Sequence, residues 1–168
     1  MGRLRTAAIA LALIATPATA LAERFNGQLD IYSLDAPAGW AQRKDSNSDM
    51  NFDAPGGKSN GGIFVGLQDA RRSLDGEMNN FLSGGTVLES SSVTIDGQPC
   101  RSGRTQTGGG VVNTMLMCHL VVLFQEGPAN LEFFLGMASR PEDVGWHSQV
   151  FWNAANSIRW GAAFATAP

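Results

Sequence analysis

The sequence predicts a single-domain α/β protein of the α+β type, with a central, mostly antiparallel sheet flanked by helices and held by one disulfide. Three observations support this prediction. Short apolar segments, several of them alternating with polar residues, recur between glycine-rich turns, which is typical of strands joined by hairpins. Two other segments repeat their apolar residues with a helical period. The two cysteines, Cys100 and Cys118, flank a glycine-rich turn in a chain that opens with an export signal.

The export signal occupies residues 1–22. Arg3 and Arg5 precede an apolar run from Ala7 to Ile14, and the segment ends on the small residues Ala20 and Ala22. This is the pattern of a cleaved secretory signal peptide, and the apolar run is too short to cross a membrane. We expect cleavage after Ala22, or alternatively after Ala20. The mature chain is expected to be periplasmic, without membrane insertion.

The expected mature chain, residues 23–168, has the size and charge of one acidic domain. Removal of 22 of the 168 residues leaves 146, close to the commonest size of a single domain. Because Arg3 and Arg5 are lost, ten basic residues face 15 acidic ones, a net charge of −5. Arg71 and Arg72 form its only basic cluster. A nucleic acid or an anionic membrane is therefore not expected as a partner.

The first half of this domain reads as strands. Gln28 to Leu34 and Asp49 to Asp53 alternate polar and apolar residues, and Ile63 to Gln68 forms a further apolar strand. Pro37-Ala38-Gly39-Trp40 predicts a turn with an aromatic anchor. The glycine-rich stretch from Asp53 to Gly62 is predicted to be the loop of a hairpin.

The same stretch contains Gly57-Lys58-Ser59, which resembles the end of a phosphate-binding loop. Such a loop needs a glycine where this chain has Phe52, and it must open a helix. Here a strand follows Gly61-Gly62 instead. The hairpin loop is therefore the better interpretation, and no nucleotide cofactor is expected.

A helix is predicted next, from Ser73 to Ser83, and strands follow it. Ser73 can cap the helix and Gly84-Gly85 ends it. Thr86 to Ile95 and Gln98 to Thr107 read as strands joined by a tight Asp96-Gly97 turn. The apolar residues of the helix recur at helical spacing: Leu74, Met78, Phe81 and Leu82.

The register of the following hairpin predicts a disulfide between Cys100 and Cys118. A hairpin centred on Gly109 places the two cysteines directly opposite each other, since each lies nine residues from the centre. Directly opposed antiparallel residues are close enough for a disulfide, and exported proteins form them. A redox-active pair fits less well because there is no C-x-x-C motif. A metal site at Cys118, His119 and His147 also fits less well, because neighbouring strand residues point to opposite faces.

The last third of the chain predicts two strands and a helix. Val111 to Phe124 is apolar on both faces, as in a central strand, and Leu131 to Ala138 is another strand. Pro141 is predicted at the first helical position, with Glu142 and Asp143 behind it. The apolar face of this helix comprises Val144, His147, Phe151, Ala154, Ala155 and Ile158.

Trp146 is the candidate contact residue for a partner. On a helical wheel it lies about 140° from the centre of the apolar face. An exposed tryptophan there would be a good anchor for a protein partner, although it could instead fold back over the helix start or under a loop. Trp40 and Trp152 are predicted at the core or its edge, and His147 is interpreted as a packed helix residue.

The order of these elements resembles the PsbP/Mog-type family of small α/β domains, many of which are exported in bacteria. The resemblance covers residues 25–160 and is carried by the Pro37 to Trp40 turn and by the Ser157-Ile158-Arg159 helix end. It implies a central antiparallel sheet flanked by helices. It also implies action through binding other proteins or assisting assembly, with no shared catalytic motif. No catalytic residue, metal or cofactor is carried over to this chain.

Other functions stay open beside an envelope protein that binds a partner. An inhibitor or immunity-type protein is one alternative, and a carrier of a small hydrophobic ligand, held by Met115, Met117 and Phe133, is another. An enzyme is not expected, because no G-x-S-x-G elbow exists and His119 and His147 are the only candidate histidine bases. Convergence of two of the 15 carboxyl groups stays open.

Overall fold

The structure is a computed structural model that describes residues 22–57, 60–161 and 164–165, the last pair by backbone alone. The predicted signal peptide lies outside the described residues except for Ala22. The helices are α1 (Leu74–Leu82) and α2 (Val144–Asn156), with a 3₁₀ turn at Gln28–Asp30. The strands are β1 (Arg24–Asn26), β2 (Tyr32–Asp35), β3 (Ala41–Arg43), β4 (Met50–Asp53), β5 (Gly62–Asp69), β6 (Thr86–Ile95), β7 (Gln98–Gln106), β8 (Val112–Phe124), β9 (Gly127–Ser139), β10 (Arg159–Trp160) and β11 (Phe164–Ala165).

The strands form a large sheet and a small one. The large sheet has the order β3-β4-β5-β9-β8-β7-β6. Strand β11 pairs with Val121 and Val122 of β8, beyond the part of β8 that pairs with β7. The small sheet has the order β1-β2-β10. Every pairing between described strands is antiparallel. The predicted fold class is confirmed, and so is the hairpin between β4 and β5, in which Asp53 pairs with Gly62.

The large sheet is covered on both faces, as the two-sided apolar pattern of β8 predicts. Phe133 and Phe134 are neighbours on β9 and therefore point to opposite faces. The Phe133 ring contacts Tyr32 and Trp160, which belong to the small sheet. The Phe134 ring contacts Phe64 on the other face. The main core lies between the large sheet and the layer formed by α2 and the small sheet.

Helix α1 covers the other face of the sheet. The side chain of Ser73 accepts a hydrogen bond from the backbone N–H of Gly76, at 3.2 Å, and so caps the helix as predicted. Met78, on the side of α1 that faces the sheet, is fully buried. A Cβ atom at Gly103 on β7 would lie 2.6 Å from the sulfur of Met78, so the glycine lets α1 approach the sheet closely.

The register of β7 and β8 confirms the predicted disulfide. Cys100 pairs directly with Cys118, their Cα atoms are 4.3 Å apart, and the two sulfurs are bonded. Both cysteines are buried in the core beside Leu116 and Leu120. The disulfide therefore joins two strands whose pairing already holds the cysteines in place.

The predicted strand from Gln28 to Leu34 is wrong in its first half. Gln28–Asp30 forms a 3₁₀ turn, and β2 begins only at Tyr32. Asp49 explains the difference, because its carboxylate accepts hydrogen bonds from the backbone N–H of Gln28 and from the hydroxyl of Tyr32. These two bonds turn the chain back on itself before the strand starts, and Leu29 is left exposed.

The predicted start of the last helix at Pro141 is also wrong. Residues 141–143 form a turn, and α2 begins at Val144 with Asp143 as its N-cap residue. The Asp143 carboxylate accepts two hydrogen bonds from the Arg140 guanidinium, at 2.7 and 3.1 Å. The Asp143 N–H bonds to the Arg140 carbonyl. This pairing closes a turn at the position where the sequence favours a helix.

No helix in the described part of the chain is long and apolar enough to cross a membrane.

Candidate functional site

Trp146 lies at the rim of a cleft between α2 and the chain that follows β2. The cleft has a volume of about 330 Å³, and we call it the α2 cleft. It is open to solvent at one side, where Trp146 is 48% exposed. Its walls are mostly apolar. They are formed by Asp35, Ala36, Pro37, Ala38, Trp40, Trp146, Val150, Asn153 and Ala154, together with Ala22, the last residue of the predicted signal peptide.

One wall of the α2 cleft is a tight turn. The backbone N–H of Trp40 donates to the carbonyl of Pro37 at 3.1 Å. Gly39, the third residue of this turn, has a φ of 77°, which other residues rarely adopt. The turn directs the Trp40 side chain inward, so that this side chain is only 8% exposed. The proline and glycine of the sequence motif are thus what place Trp40 beside α2.

Three aromatic rings support the rim. The ring centroids of Trp40 and Trp146 are 5.7 Å apart, with a tilt of 45°. His147 contacts both, at 5.3 Å from Trp40 and 4.6 Å from Trp146. These separations are typical of attractive aromatic pairs. Trp146 is therefore exposed on one side and held on the other.

His147 is fixed under the tryptophans by a hydrogen bond. Its Nδ1 atom lies 2.7 Å from the hydroxyl of Ser139 on β9, and its Nε2 atom is buried without a partner. Burial lowers the pKa of His147, and the positive charge of Arg140 acts in the same direction, while Asp143 opposes it. The ring is accordingly neutral at pH 7. Because Ser139 is almost fully buried, its hydroxyl cannot reach a substrate, and the pair is a packing contact.

The far end of the α2 cleft is held by polar contacts. The Arg24 guanidinium donates to the Asp35 carboxylate and to the Ser157 carbonyl, each at 2.8 Å. The Ser157 hydroxyl accepts from the Asp35 N–H and donates to the Ala154 carbonyl. Ser157 belongs to the helix-end motif singled out in the sequence. Its role here is to join the end of α2 to β2 and so to set the width of the cleft.

This arrangement suits the binding of an apolar group rather than a chemical reaction. Asp35 is the only ionisable residue among the described lining of the α2 cleft, and it is already paired with Arg24. The walls come from a turn, a strand end and a helix that are joined by hydrogen bonds. The cleft is therefore a preformed apolar recess with an aromatic rim.

The residues predicted for a hydrophobic ligand do not meet in one pocket. Met117 pairs with Phe134 across β8 and β9, whereas Phe133 pairs with Cys118. Met117 and Met115 therefore point to the α1 face of the sheet, and Phe133 points to the α2 face. Phe133 is packed fully within the core.

The two histidines and the cysteines are also separated. Cys118 is bonded to Cys100, and His147 lies under the tryptophans of the α2 cleft. His119 lies instead against Glu132, with 3.5 Å between its Nε2 atom and the nearer carboxylate oxygen. Among residues 22–57 and 60–161, no group of three His, Cys, Asp or Glu side chains could hold a metal ion.

Sequence reasoning missed two residues of interest. Trp40 is buried as the sequence predicts, but its second role as the support of Trp146 depends on a contact between distant segments. The motifs of the sequence do not point to Glu132. The signal for it was present, since it is the one charged residue in the apolar run Leu131 to Leu135.

Comparisons with known proteins identify the fold. No protein-family model matches the chain, and no curated protein matches its sequence. Similar solved structures include the following two. One is the solution structure of cyanobacterial PsbP (CyanoP) from Synechocystis sp. PCC 6803, with a TM-score of 0.58 and 12% identity over 89% of this chain and 98% of that one. The other is the crystal structure of LpqN, involved in cell envelope biogenesis of Mycobacterium tuberculosis, with a TM-score of 0.55 and 12% identity over 77% and 83%. The chain therefore has a PsbP-type fold.

Proposed function

We propose that this PsbP-type domain is a non-catalytic binding or assembly module of the bacterial cell envelope, and that it contacts a protein partner through the α2 cleft. One observation carries the proposal. Trp146 is 48% exposed at the rim of an apolar recess, and its other side packs on Trp40 at 5.7 Å.

Covering Trp146 with a partner would be favourable. A tryptophan side chain buries a large area on binding, and tryptophan is among the residues most often found to dominate interface energies. The contacts with Trp40 and His147 restrain its rotation, so a partner would lose little side-chain entropy when it docks. Other exposed apolar side chains, such as Leu88 on β6, do not border the cleft.

The cellular location forms part of the proposal. The signal peptide predicted at residues 1–22 would deliver the chain to the periplasm. The likeness of the fold to LpqN, a protein involved in cell envelope biogenesis, supports an envelope role. The partner is accordingly expected to be another exported protein, which presents an apolar side chain to the α2 cleft.

A capture experiment with matched variants tests the proposal. The oxidised protein, Trp146→Ala and Leu88→Ala would be immobilised separately and exposed to periplasmic extract of the source organism. Leu88 is a suitable control because it is 47% exposed, almost the same as Trp146. A protein retained by the parent and by Leu88→Ala but lost by Trp146→Ala is the expected result.

The affinity of the purified partner for each variant is then measured. The affinity should fall by roughly 30-fold or more in Trp146→Ala, which corresponds to an interface anchor of about 2 kcal/mol, and should not change in Leu88→Ala. Equal affinity for the two variants would refute the role of the α2 cleft. The absence of any retained protein would refute partner binding as the function.

A further inference from the structure

A second cavity lies beside His119, where β8 passes the start of α1. Its volume is about 400 Å³, and it shares no lining residue with the α2 cleft. We call it the His119 cavity. Arg72 and His119 are its charged or ionisable lining residues, and no Asp or Glu lines it in the described part of the chain. Its apolar walls include Leu74, Pro99, Leu120 and Val121.

The residue behind His119 is a buried acid. Glu132 on β9 is 1% exposed, and it lies directly between Gln68 on β5 and His119 on β8 in the sheet register. The Gln68 amide donates to its Oε1 atom at 2.7 Å. Its Oε2 atom and the Nε2 atom of His119 are both buried and have no hydrogen-bond partner, although they lie only 3.5 Å apart.

A buried carboxyl group with a free oxygen needs a physical explanation, because burial of an unpaired polar group is costly. Burial raises the pKa of Glu132, and the charge of Glu77 on α1 acts in the same direction, while Gln68 and His119 oppose it. The carboxyl group and the imidazole can therefore share one proton between Oε2 and Nε2. The other edge of the His119 ring remains available to the cavity, since His119 is partly exposed and lines it.

From this geometry we infer that the His119 cavity binds the carboxylate of a small organic acid. Arg72 and the His119 ring hold the carboxylate, and Leu74, Pro99 and Val121 contact its hydrocarbon part. Glu132 acts as a positioning residue behind His119. The proton shared between Oε2 and Nε2 fixes the ring so that its other nitrogen can face the cavity.

The surrounding charges are compatible with this inference. Arg72 binds Glu77 at 3.4 Å through an exposed guanidinium, which can turn toward the cavity without being drawn out of the core. The groups that face Glu132 are His119 from β8, Gln68 from β5 and Glu77 from α1. Glu77 lies outside the lining of the cavity, so the wall that the ligand meets is positive.

Two probes of similar shape distinguish the contribution of the ligand's charge to binding from the contribution of its apolar contacts. The protein labelled with ¹⁵N would be titrated with sodium benzoate and, separately, with benzyl alcohol at pH 6.5. Benzoate is expected to shift the amide signals of Ala70, His119, Leu120, Val121 and Asn130, which line the cavity. Benzyl alcohol is expected to bind at least about tenfold more weakly, because it lacks the charge-assisted hydrogen bonds. Equal binding of the two probes, or benzoate shifts centred elsewhere, would overturn the inference.

Single substitutions test which residues bind benzoate. Glu132→Gln, His119→Gln and Arg72→Gln should each weaken benzoate binding by about tenfold, whereas Trp146→Ala should not change it. Undiminished benzoate binding in the partly exposed His119→Gln and Arg72→Gln variants contradicts the site even if Glu132→Gln fails to fold. Retained partner capture with no benzoate binding rejects this inference alone, since the two sites are separate.

Discussion

The indole ring of Trp146 packs on that of Trp40, with the ring centroids 5.7 Å apart, so that one tryptophan is buried and the other is exposed. In the sequence, most strands of the large sheet lie between these two residues. Their contact joins the turn after β2 to the first turn of α2. It therefore links the structural core to the surface proposed for binding.

The two tryptophans are expected to differ in their contributions to stability. Trp40→Ala should lower the free energy of unfolding by about 3–5 kcal/mol because it empties a buried site, while Trp146→Ala should cost no more than about 1 kcal/mol. Urea unfolding followed by circular dichroism would measure both. Similar losses of unfolding free energy in the two variants would mean that Trp146 stabilises the fold and is not primarily a binding residue.

Loss of the disulfide should lower stability without changing the fold. Cys100 and Cys118 are separated by 18 residues, and a crosslink of this span contributes about 3 kcal/mol. The Cys100→Ala, Cys118→Ala double variant should therefore unfold at a lower denaturant concentration, and reduction of the parent should cause a similar decrease. If the reduced parent and the oxidised parent unfold at the same concentration, the crosslink contributes nothing beyond the strand pairing.

His147 should make the protein less stable in acid. Because burial lowers its pKa in the folded protein, the unfolded chain takes up a proton at the ordinary histidine pKa of about 6.5 before the folded protein does. The contribution of His147 is therefore complete above about pH 6.5 and is lost as the pH falls below that value. The free energy of unfolding, measured at intervals from pH 7.5 to 5, should fall more in the parent than in His147→Gln. Equal pH dependence of unfolding in the parent and in His147→Gln would show that protonation of the His147 ring does not destabilise the folded protein.

Two glycine substitutions should have opposite effects. A Cβ atom at Gly136 would overlap the ring of Phe64 on the neighbouring strand, so Gly136→Ala should destabilise the protein by about 1–3 kcal/mol through overpacking. A Cβ atom at Gly145 in α2 would meet no atom within 4 Å, and Gly145→Ala should stabilise the protein by up to about 1 kcal/mol through helix propensity. Thermal unfolding of the two variants beside the parent would compare them. A stable Gly136→Ala variant would mean that the Phe64 ring can move aside.

The sequence by itself determined the features that depend on local patterns. Alternating or continuous apolar runs and the turns between them placed β4 to β9 within a few positions, and Ser73 marked the start of α1 because a capping side chain acts within one turn. The pairing of Cys100 with Cys118 followed from the length of one hairpin, since the register of a hairpin is a local property. The wheel position of Trp146 placed it away from the apolar face of α2 for the same reason, but it did not decide between an exposed ring and one packed back on the chain.

The tertiary structure decided the features that depend on contacts between distant segments. The carboxylate of Asp49 bends the chain at Gln28, where the local pattern favours a strand. Residues far apart in sequence bring Trp40 under Trp146 and place Glu132 between Gln68 and His119. Apolar periodicity tells which face of an element is buried, but it does not tell which other element will cover that face. Both the α2 cleft and the buried acid behind His119 arise from that choice of neighbours, and so neither could be derived before the elements were packed.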